Sequence, residues 1–452
     1  MRSSLVPWLV LAITAGCSGG RSPEDPAPRT NPEVRAPQNL IFDAAPLYRQ
    51  LGMFAVGQPF PFIGRVSYAA TPSPDSTHVI VAVSFANTAL AFAREADNRF
   101  RANYTVMISL DAGGRSVQRA EATEELVVSS FREVSRTDES IIFQEILDVP
   151  PGTYSMSVFI RDENSQRSGE QRADVTVPEL GAGSLSSPIP IVAVAPRTTL
   201  DSVPRLTTSP RGTAIFGRDS VIGVYVEQYD VSAEPIQLLV LSEAGKLIWS
   251  DSTYLPVRDS ISSGVIDVPV SRIGIGAARI AVTRPGLRDT TDAGVFVAFG
   301  ENLPVAAFDE MLNFLRYFAA PHRLDRLREV PEELRAEEWA TFVRETDDQP
   351  ATPAHESLLA YFDRLVVANG RYREEAGPGW MSDRGRVFIT LGEPDEVIEP
   401  LDNDFRRDRQ MLWTYRNLNA QILFMDRTGT GLWRMHPSSA SRFEAEFRRR
   451  LK

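Results

Sequence analysis

Four carboxylates stand close together near the C-terminal end of the sequence: Asp383, Glu393, Asp395 and Glu396. Paired carboxylates act as general acid and general base in hydrolytic reactions, and clustered carboxylate oxygens bind hard cations such as Ca²⁺. Asp383 and Asp395 lie near glycine or proline, where an aspartate commonly accepts hydrogen bonds from the backbone of its own turn. We expect this structural role for them rather than catalysis or cation binding.

The residue types needed for other reactions are scattered. Four histidines occur, none at the i, i+4 spacing of a zinc-binding helix: His78, His322, His355 and His436. The sequence contains neither a Gly-x-Ser-x-Gly elbow nor a glycine-rich phosphate loop with lysine. A nucleophilic triad stays open, because its members need not be neighbours in sequence. We therefore assign no catalytic residue, no metal ligand and no cofactor.

Trp380 and Arg384 stand beside the acidic cluster. Tryptophan and arginine are enriched among the residues that carry most of the binding energy of protein interfaces, so the pair could mark a binding surface. The alternative is a tryptophan wedged between a helix and a sheet, because a large aromatic side chain gains most from burial. We expect packing for Trp380 and keep the binding surface as the second interpretation.

The surrounding residues predict a loop that leads into a strand. Pro378 and the glycines on either side of it end any preceding helix. Ser382 and Asp383 offer short acceptors to nearby backbone N–H groups, for instance that of Gly385. Apolar residues alternate over residues 386–391, which predicts a covered strand that ends at the following Gly-Glu-Pro-Asp sequence.

The whole motif resembles a known family. Residues 379–397 read Gly-Trp-Met-Ser-Asp-Arg-Gly-Arg-Val-Phe-Ile-Thr-Leu-Gly-Glu-Pro-Asp-Glu-Val, which is similar to the signature of the GWxTD-domain family of bacterial proteins. Ser382 stands where the family has threonine, and both hydroxyls can cap a turn. The resemblance covers roughly the last third of the chain and implies no reaction. The candidate binding or structural residues are Trp380, Ser382, Asp383, Arg384, Gly385, Gly392, Glu393, Pro394 and Asp395.

The N-terminus has the features of an export signal. Arg2 precedes a short apolar core over residues 5–13 and the small residues Ala15 and Gly16. This core is too short for a membrane span of about 20 residues and is typical of a secretory signal. Ala15-Gly16-Cys17 resembles a bacterial lipobox, which implies cleavage after residue 16 and a lipidated Cys17. Ser18 then implies, by analogy with bacterial sorting, an outer-membrane lipoprotein.

Composition limits the remaining possibilities. Residues 18–40, rich in proline and polar residues, predict a disordered tether. The net charge of −11 argues against a nucleic-acid partner, which would need a basic surface. The basic C-terminal residues from Arg442 to Lys452 are expected to form a solvated helix end, with contact to anionic lipid as the alternative. With Cys17 as the only cysteine, disulfides cannot stabilise the fold.

The remaining chain predicts a mainly β protein followed by an α+β part. Short alternating segments over residues 41–182 and again over 186–300 favour two tandem β-sandwich (Ig-like) domains. Residues 301–452 begin with apolar residues at helical spacing and end with strand-like segments around 386–391, 410–415, 421–425 and 431–435. We expect helices that cover one face of a small antiparallel sheet.

Two functions fit this organisation. The first is a non-catalytic envelope lipoprotein, anchored in the membrane through Cys17, that binds a protein or glycan partner. The second is a hydrolase that acts on a cell-surface polymer through the motif carboxylates. Carboxylates that converge in an open cleft would favour the hydrolase, whereas carboxylates that are each bonded to a structural partner would favour the binding protein.

Overall fold

A computed structural model describes residues 45–95, 98–130, 140–216, 218–229, 234–284, 291–298, 308–352, 355–374, 377–399 and 409–452. The predicted signal peptide (1–17), with Cys17, and the predicted tether (18–40) lie outside the described residues. None of the helices in the described ranges combines the length and the hydropathy needed to cross a membrane.

The first part of the described chain is built from two antiparallel sheets. After helix α1 (Ala45–Gln50) come the strands β1 (Phe54–Val56), β2 (Phe62–Ala70), β3 (Thr77–Ala86), β4 (Ala93–Arg94), β5 (Phe100–Ala112), β6 (Arg115–Val128), β7 (Ser140–Val149), β8 (Gly152–Asp162) and β9 (Ser168–Val177). One sheet has the order β1-β2-β3-β7; the other has the order β4-β5-β8-β9, with β6 also paired to β5.

Alternation of apolar residues explains why these segments form strands. Successive side chains of a strand point to opposite faces, so every second residue of β5 and β8 faces the partner sheet. These residues are buried and belong to one hydrophobic core: Tyr104, Val106, Ile108, Leu110, Tyr154, Met156, Val158 and Ile160. The first predicted β-sandwich is thereby observed.

A second sandwich follows in the chain. Its strands are β10 (Ile189–Ala195), β11 (Arg205–Thr208), β12 (Thr213–Ile215), β13 (Val221–Gln228), β14 (Ile236–Ser242), β15 (Leu247–Thr253), β16 (Ser262–Pro269), β17 (Gly276–Thr283) and β18 (Thr291–Ala298), with the short helix α2 (Val270–Ile273) after β16. The two sheets have the orders β11-β10-β13-β16 and β12-β18-β17-β14-β15, and β12 runs parallel to β18.

Strand β3 connects the two sandwiches because it is buried on both faces. Val79 and Val81 face the core of the first sandwich. Ile80, on the opposite face, packs with Ile189 and Tyr225 of the second sandwich. The nearly continuous apolar sequence of this strand therefore fits a position between two packed layers.

A buried ion pair lies in the contact between the sandwiches. Arg197 donates to both carboxylate oxygens of Glu227 at 2.8 Å, and the two side chains are 2% and 0% exposed. Arg197 also donates to the carbonyl oxygen of Ala70 in the first sandwich at 2.6 Å. Tyr225 and Tyr229 donate their hydroxyls to Glu227 at 2.7 and 2.9 Å. Because both Glu227 oxygens accept two hydrogen bonds, the cost of burying this charge is offset.

The last part combines helices with a small sheet. The helices are α3 (Phe308–Phe314), α4 (Pro321–Glu329), α5 (Arg335–Thr346), α6 (Glu356–Arg371), α7 (Asp383–Leu391) and α8 (Pro437–Arg450). The strands β19 (Glu396–Ile398), β20 (Arg409–Tyr415), β21 (Ala420–Asp426) and β22 (Arg434–Met435) form an antiparallel sheet in that order. This mainly β architecture with a C-terminal α+β part confirms the predicted fold class.

The helical part and the second sandwich share one hydrophobic core. Val224 of β13, Met311 of α3 and Trp413 of β20 belong to the same cluster of buried residues. The apolar stripes predicted for the helices are buried as expected, including Leu312, Phe342 and Leu365.

One predicted element is wrong. Residues 386–391 form the greater part of helix α7 rather than a strand, and β19 instead provides an edge strand of the four-stranded sheet. Val387, Phe388, Ile389 and Thr390 are all buried. Because the helix is covered on several sides, its apolar residues follow each other without a helical period, and a short apolar segment of this kind reads equally well as a strand.

Candidate functional site

The tryptophan of the motif packs inside the C-terminal part. Trp380 lies in a single 3-10 turn (Gly379–Met381) and is 6% exposed. Its ring meets those of Phe314 and Tyr317 edge to face, with centroids 5.4 and 6.2 Å apart, and the Arg316 guanidinium lies 4.8 Å above it. These contacts join the motif to helix α3 and the turn after it, so Trp380 has a packing role.

Ser382 caps helix α7. Its Oγ accepts a hydrogen bond from Gly385 N at 3.0 Å and donates to Gly379 O at 2.7 Å. The contact with Gly385 is the one suggested by the sequence, but it has N-cap geometry, in which a side-chain oxygen accepts from the third helical residue. Threonine, the family residue at this position, has the same hydroxyl.

The glycines of the motif permit two close backbone approaches. A Cβ on Gly379 would lie 2.5 Å from the carbonyl oxygen of Ala368 in helix α6. A Cβ on Gly385 would overlap Gly379 O and lie 2.9 Å from Gly379 C. The capping turn therefore folds tightly against α6 and against the start of α7, and no larger residue fits without a shift of the backbone.

Asp383 connects the first turn of α7 to the edge of the sheet. Its Oδ2 accepts a hydrogen bond from Met435 N in β22 at 2.7 Å. The expectation that Asp383 accepts hydrogen bonds from its own turn is therefore corrected: the acceptor role holds, but the donor is a strand residue 52 positions later. An acidic residue in the first helical turn also interacts favourably with the helix dipole.

Arg384 takes part in a second connection to the same strand. It lies 3.7 Å from Glu374, whose side chain is 4% exposed, and burial lowers the pKa of Arg384 while the Glu374 carboxylate acts in the opposite direction. Glu374 accepts from Trp433 N and from the Arg434 guanidinium, both at 3.2 Å. The Arg384 guanidinium lies 5.5 Å from the rings of Tyr372 and Trp433. Nothing in the sequence pattern marked Glu374.

The end of the motif forms the turn from α7 into the sheet. Gly392 ends the helix with φ of 87°, and its carbonyl accepts from the Tyr415 hydroxyl at 3.1 Å. Pro394 is buried in the turn. Glu393, which is exposed, forms an ion pair with Arg371 at 2.6 Å.

Each of the four carboxylates that could have formed a catalytic or cation site is held by a structural contact, and Asp395 and Glu396 share Arg416 as a partner. Asp395 accepts from Arg416 N at 2.6 Å, and Glu396 lies 3.7 Å from the Arg416 guanidinium. Asp383 and Glu393 are held by Met435 N and Arg371, as described above. In the described part of the chain, histidine, cysteine and carboxylate side chains form no group of three or more that could hold a metal ion.

A groove lies next to the end of the motif, between helix α8 and strand β21. It has a volume of about 250 Å³. Its apolar lining comes from the last residue of α7, the segment 418–422 and helix α8: Leu391, Leu418, Ala420, Ile422, Phe443 and Ala445. Arg442, Glu446 and Arg449 supply the polar part of its wall. The sequence analysis did not anticipate this groove, because it arises from packing between distant segments.

Two of the solved structures that match this chain are only remotely similar to it. A structure described as "Biofilm associated protein - BSP domain" matches with 9% identity and a TM-score of 0.17, over 57% of this chain and 54% of that one, so the match spans about half of that protein. An Escherichia coli alpha-2-macroglobulin in its native conformation matches with 12% identity and a TM-score of 0.14, over 54% and 16%. A comparison with curated proteins found no match.

A protein-family model gives a specific result. The model described as "GWxTD domain" matches residues 288–428. This range begins just before β18, includes the whole Trp380-to-Asp395 motif and ends after Asp426, before β22 and α8. The sequence resemblance and the family model agree: the chain is a GWxTD-domain-containing protein.

Proposed function

We propose that this chain is an exported, lipid-anchored envelope protein that binds a protein or glycan partner without catalysing a reaction. In this proposal Cys17 carries the lipid, and the outer membrane is the compartment. The two sandwiches and the C-terminal part form a connected framework that holds a binding surface away from the membrane.

One observation supports the non-catalytic part: each motif carboxylate is engaged in a structural contact. Asp383 and Asp395 accept from the backbone N–H groups of Met435 and Arg416. Trp380 and Arg384 are likewise occupied by packing and by Glu374. A general acid and base pair must instead face a common substrate from within hydrogen-bonding distance. The motif is best explained as the structural centre of the domain.

The test separates binding from hydrolysis. We would compare the wild-type protein with a Glu393→Gln/Asp395→Asn/Glu396→Gln variant, which removes three carboxylates and keeps their size. Purified protein would be incubated with isolated cell envelopes, and released sugars and amino groups would be measured. We expect no release above the buffer control from either protein. Release by the wild type that the variant loses would identify a hydrolase.

Binding is tested in intact cells. A photo-crosslinking residue at the exposed Met381, and another at the exposed Val397, would sample the surface around the motif. We expect discrete adducts with one envelope component, unchanged by the triple carboxylate substitution. A chain without any specific adduct at these or other surface positions would contradict the proposal.

A further inference from the structure

The groove between α8 and β21 has an apolar floor that is open at the surface. Ile422 and Phe443 belong to its lining but are only 1% exposed. Leu391 and Leu418 are only partly buried, although they are leucines that line the same wall. A volume of about 250 Å³ fits one or two inserted apolar side chains rather than a large ligand, since ligand pockets usually span about 300–1,000 Å³.

Positive charge surrounds this floor in a protein that is otherwise acidic. Arg442 and Arg449 lie on the wall of the groove, and Arg450 follows on the same helix. Glu446 forms ion pairs with Arg449 and Arg450 and is the only acidic residue of the groove wall in the described chain. The whole chain carries a net charge of −11, so a local excess of arginine indicates an acidic ligand.

A further arginine, Arg364 of helix α6, lies close to the end of helix α7, although it is not part of the groove wall. Nη1 of Arg364 lies 4.0 Å from the position that a Cβ atom on Gly392 would occupy. Gly392 directly follows the groove residue Leu391 in the sequence. The Nε of Arg364 is buried and has no hydrogen-bond partner. Burial lowers the pKa of Arg364, and the charge of Arg450 acts in the same direction.

The shape of the site favours a protein segment over a bilayer. A helix that lies on a membrane must present apolar side chains outward. The aromatic residues of α8 point inward instead: the Arg386 guanidinium lies 5.1 Å from the Phe443 ring and 4.6 Å from the Phe447 ring. The exposed residues of α8 near the groove are alanine and arginine, and the apolar surface is concave.

We propose that this groove binds a partner protein through an acidic segment that inserts one large apolar side chain. The apolar side chain would fill the apolar part of the groove, and flanking carboxylates would meet Arg442 and Arg449. This assignment rests on the proposed binding function and names the partner class and the surface. It uses helix α8, which lies outside the residues that match the family model.

Synthetic peptides test the proposal on the mature protein. The probes are N-acetylated, C-amidated pentapeptides with the sequence Glu-Glu-Phe-Glu-Glu, the same peptide with alanine at the centre, and Lys-Lys-Phe-Lys-Lys. Binding is measured by ligand-observed NMR and calorimetry at low salt. We expect the first peptide to bind at least about tenfold more tightly than the alanine peptide, from burial of the ring, and the lysine peptide not to bind. Equal binding of the phenylalanine and alanine acidic peptides would contradict the proposal.

Two variants test whether the acidic peptide binds in the groove. Ala445→Trp fills the exposed mouth of the groove without a change of charge, and Arg442→Glu/Arg449→Glu reverses the rim. We expect at least about a tenfold loss of affinity in each. Arg115→Glu/Arg119→Glu, on the exposed strand β6, makes the same charge change far away and should leave affinity unchanged. Melting curves verify that the variants are folded, and a folded Ala445→Trp protein with wild-type affinity would overturn the assignment.

Three further outcomes distinguish the possible errors. If vesicles of phosphatidylglycerol bind the protein through Arg442 and Arg449 while the acidic peptides do not, the surface is a membrane contact and the proposal is wrong. If the groove variants keep the wild-type crosslinked adducts in cells, the groove is not the binding site, although the protein is still a binding protein. If the wild type forms no adduct, the proposed function itself fails.

Discussion

The carboxylate of Asp383 accepts a hydrogen bond from the backbone N–H of Met435 at 2.7 Å. Asp383 begins helix α7, whereas Met435 lies in β22, the edge strand of the C-terminal sheet. The outward N–H of an edge strand has no ladder partner, so a side chain that reaches it completes the sheet. The aspartate of the motif thereby holds a helix and a strand together.

Replacement of Asp383 should weaken this connection. Asp383→Ala leaves the Met435 N–H without its acceptor and should cost about 1–2 kcal/mol, and Asp383→Asn should cost less because it keeps one oxygen. Hydrogen exchange of the Met435 amide in the full mature protein reports the effect locally. If exchange and the melting curve were unchanged by Asp383→Ala, the aspartate would not have the structural role that we assign to it.

Gly385→Ala should disrupt the C-terminal part. The new Cβ would overlap the carbonyl oxygen of Gly379, and neither backbone segment can move without loss of the Ser382 cap. We expect a lower melting temperature and loss of protection from exchange over residues 383–391. Gly377→Ala is the matched control, because its Cβ would meet no atom within 4 Å. Equal melting curves for the two variants would show that the close approach is relaxed in solution.

The sequence predicted strands such as β5 and β8 well because their burial alternates with period two. It failed at residues 386–391 because helix α7 is buried around most of its surface, which removes the helical period. The sequence did predict the hydrogen bond between Ser382 and Gly385. The same hydrogen bond can form in a turn that precedes a strand or in the cap of a helix, so it did not distinguish the two. Only the tertiary structure decides between the two.

The sequence predicted the roles of single residues in the candidate site but not which residues contact each other. Burial of Trp380 and an acceptor role for Asp383 follow from residue type, whereas the partner of Asp383 is 52 residues away and leaves no local pattern. Glu374 and the groove beside Ile422 depend entirely on packing between segments distant in sequence. Long-range contacts of this kind have no signal in composition or periodicity.

The ion pair between Arg197 and Glu227 should be costly to break. Glu227→Gln leaves a buried guanidinium without its counter-charge, and removal of one partner of a buried pair typically costs about 3–5 kcal/mol. Replacement of both by apolar residues, Arg197→Met/Glu227→Leu, should cost less than Arg197→Met or Glu227→Leu alone. Urea unfolding of the wild type, these two single variants and the double variant gives the coupling energy. Additive single effects would mean that the pair does not act as a unit.

Membrane attachment is predicted to depend on Cys17. If the lipobox-like sequence directs lipidation, Cys17→Ser removes the anchor, because several acyl chains at about 0.8 kcal/mol per buried methylene hold a lipoprotein in the membrane. We expect the wild type in the membrane fraction and the variant in the soluble periplasmic fraction. A Ser18→Ala variant should behave as the wild type. Recovery of the Cys17→Ser protein in membranes at the wild-type level would contradict this anchor.

His78 should make the first sandwich less stable in mild acid. Its Nδ1 lies 2.5 Å from Asp148, whereas its buried Nε2 has no hydrogen-bond partner. Burial lowers the pKa of His78 below the ordinary 6.5, although Asp148 raises it in part, so the unfolded chain binds more protons below that pH. His78 therefore does not reduce the free energy of unfolding above about pH 6.5. Below that pH the free energy of unfolding falls, by at most about 1.4 kcal/mol per pH unit for this one group. Burial also lowers the pKa of His355, so this residue acts in the same direction in the helical part. Urea titrations from about pH 7 to about pH 5.5, followed by exchange over residues 77–86, should show a shallower slope for His78→Asn than for the wild type. If His78→Asn kept the full wild-type slope, the acid sensitivity of this sandwich would arise elsewhere.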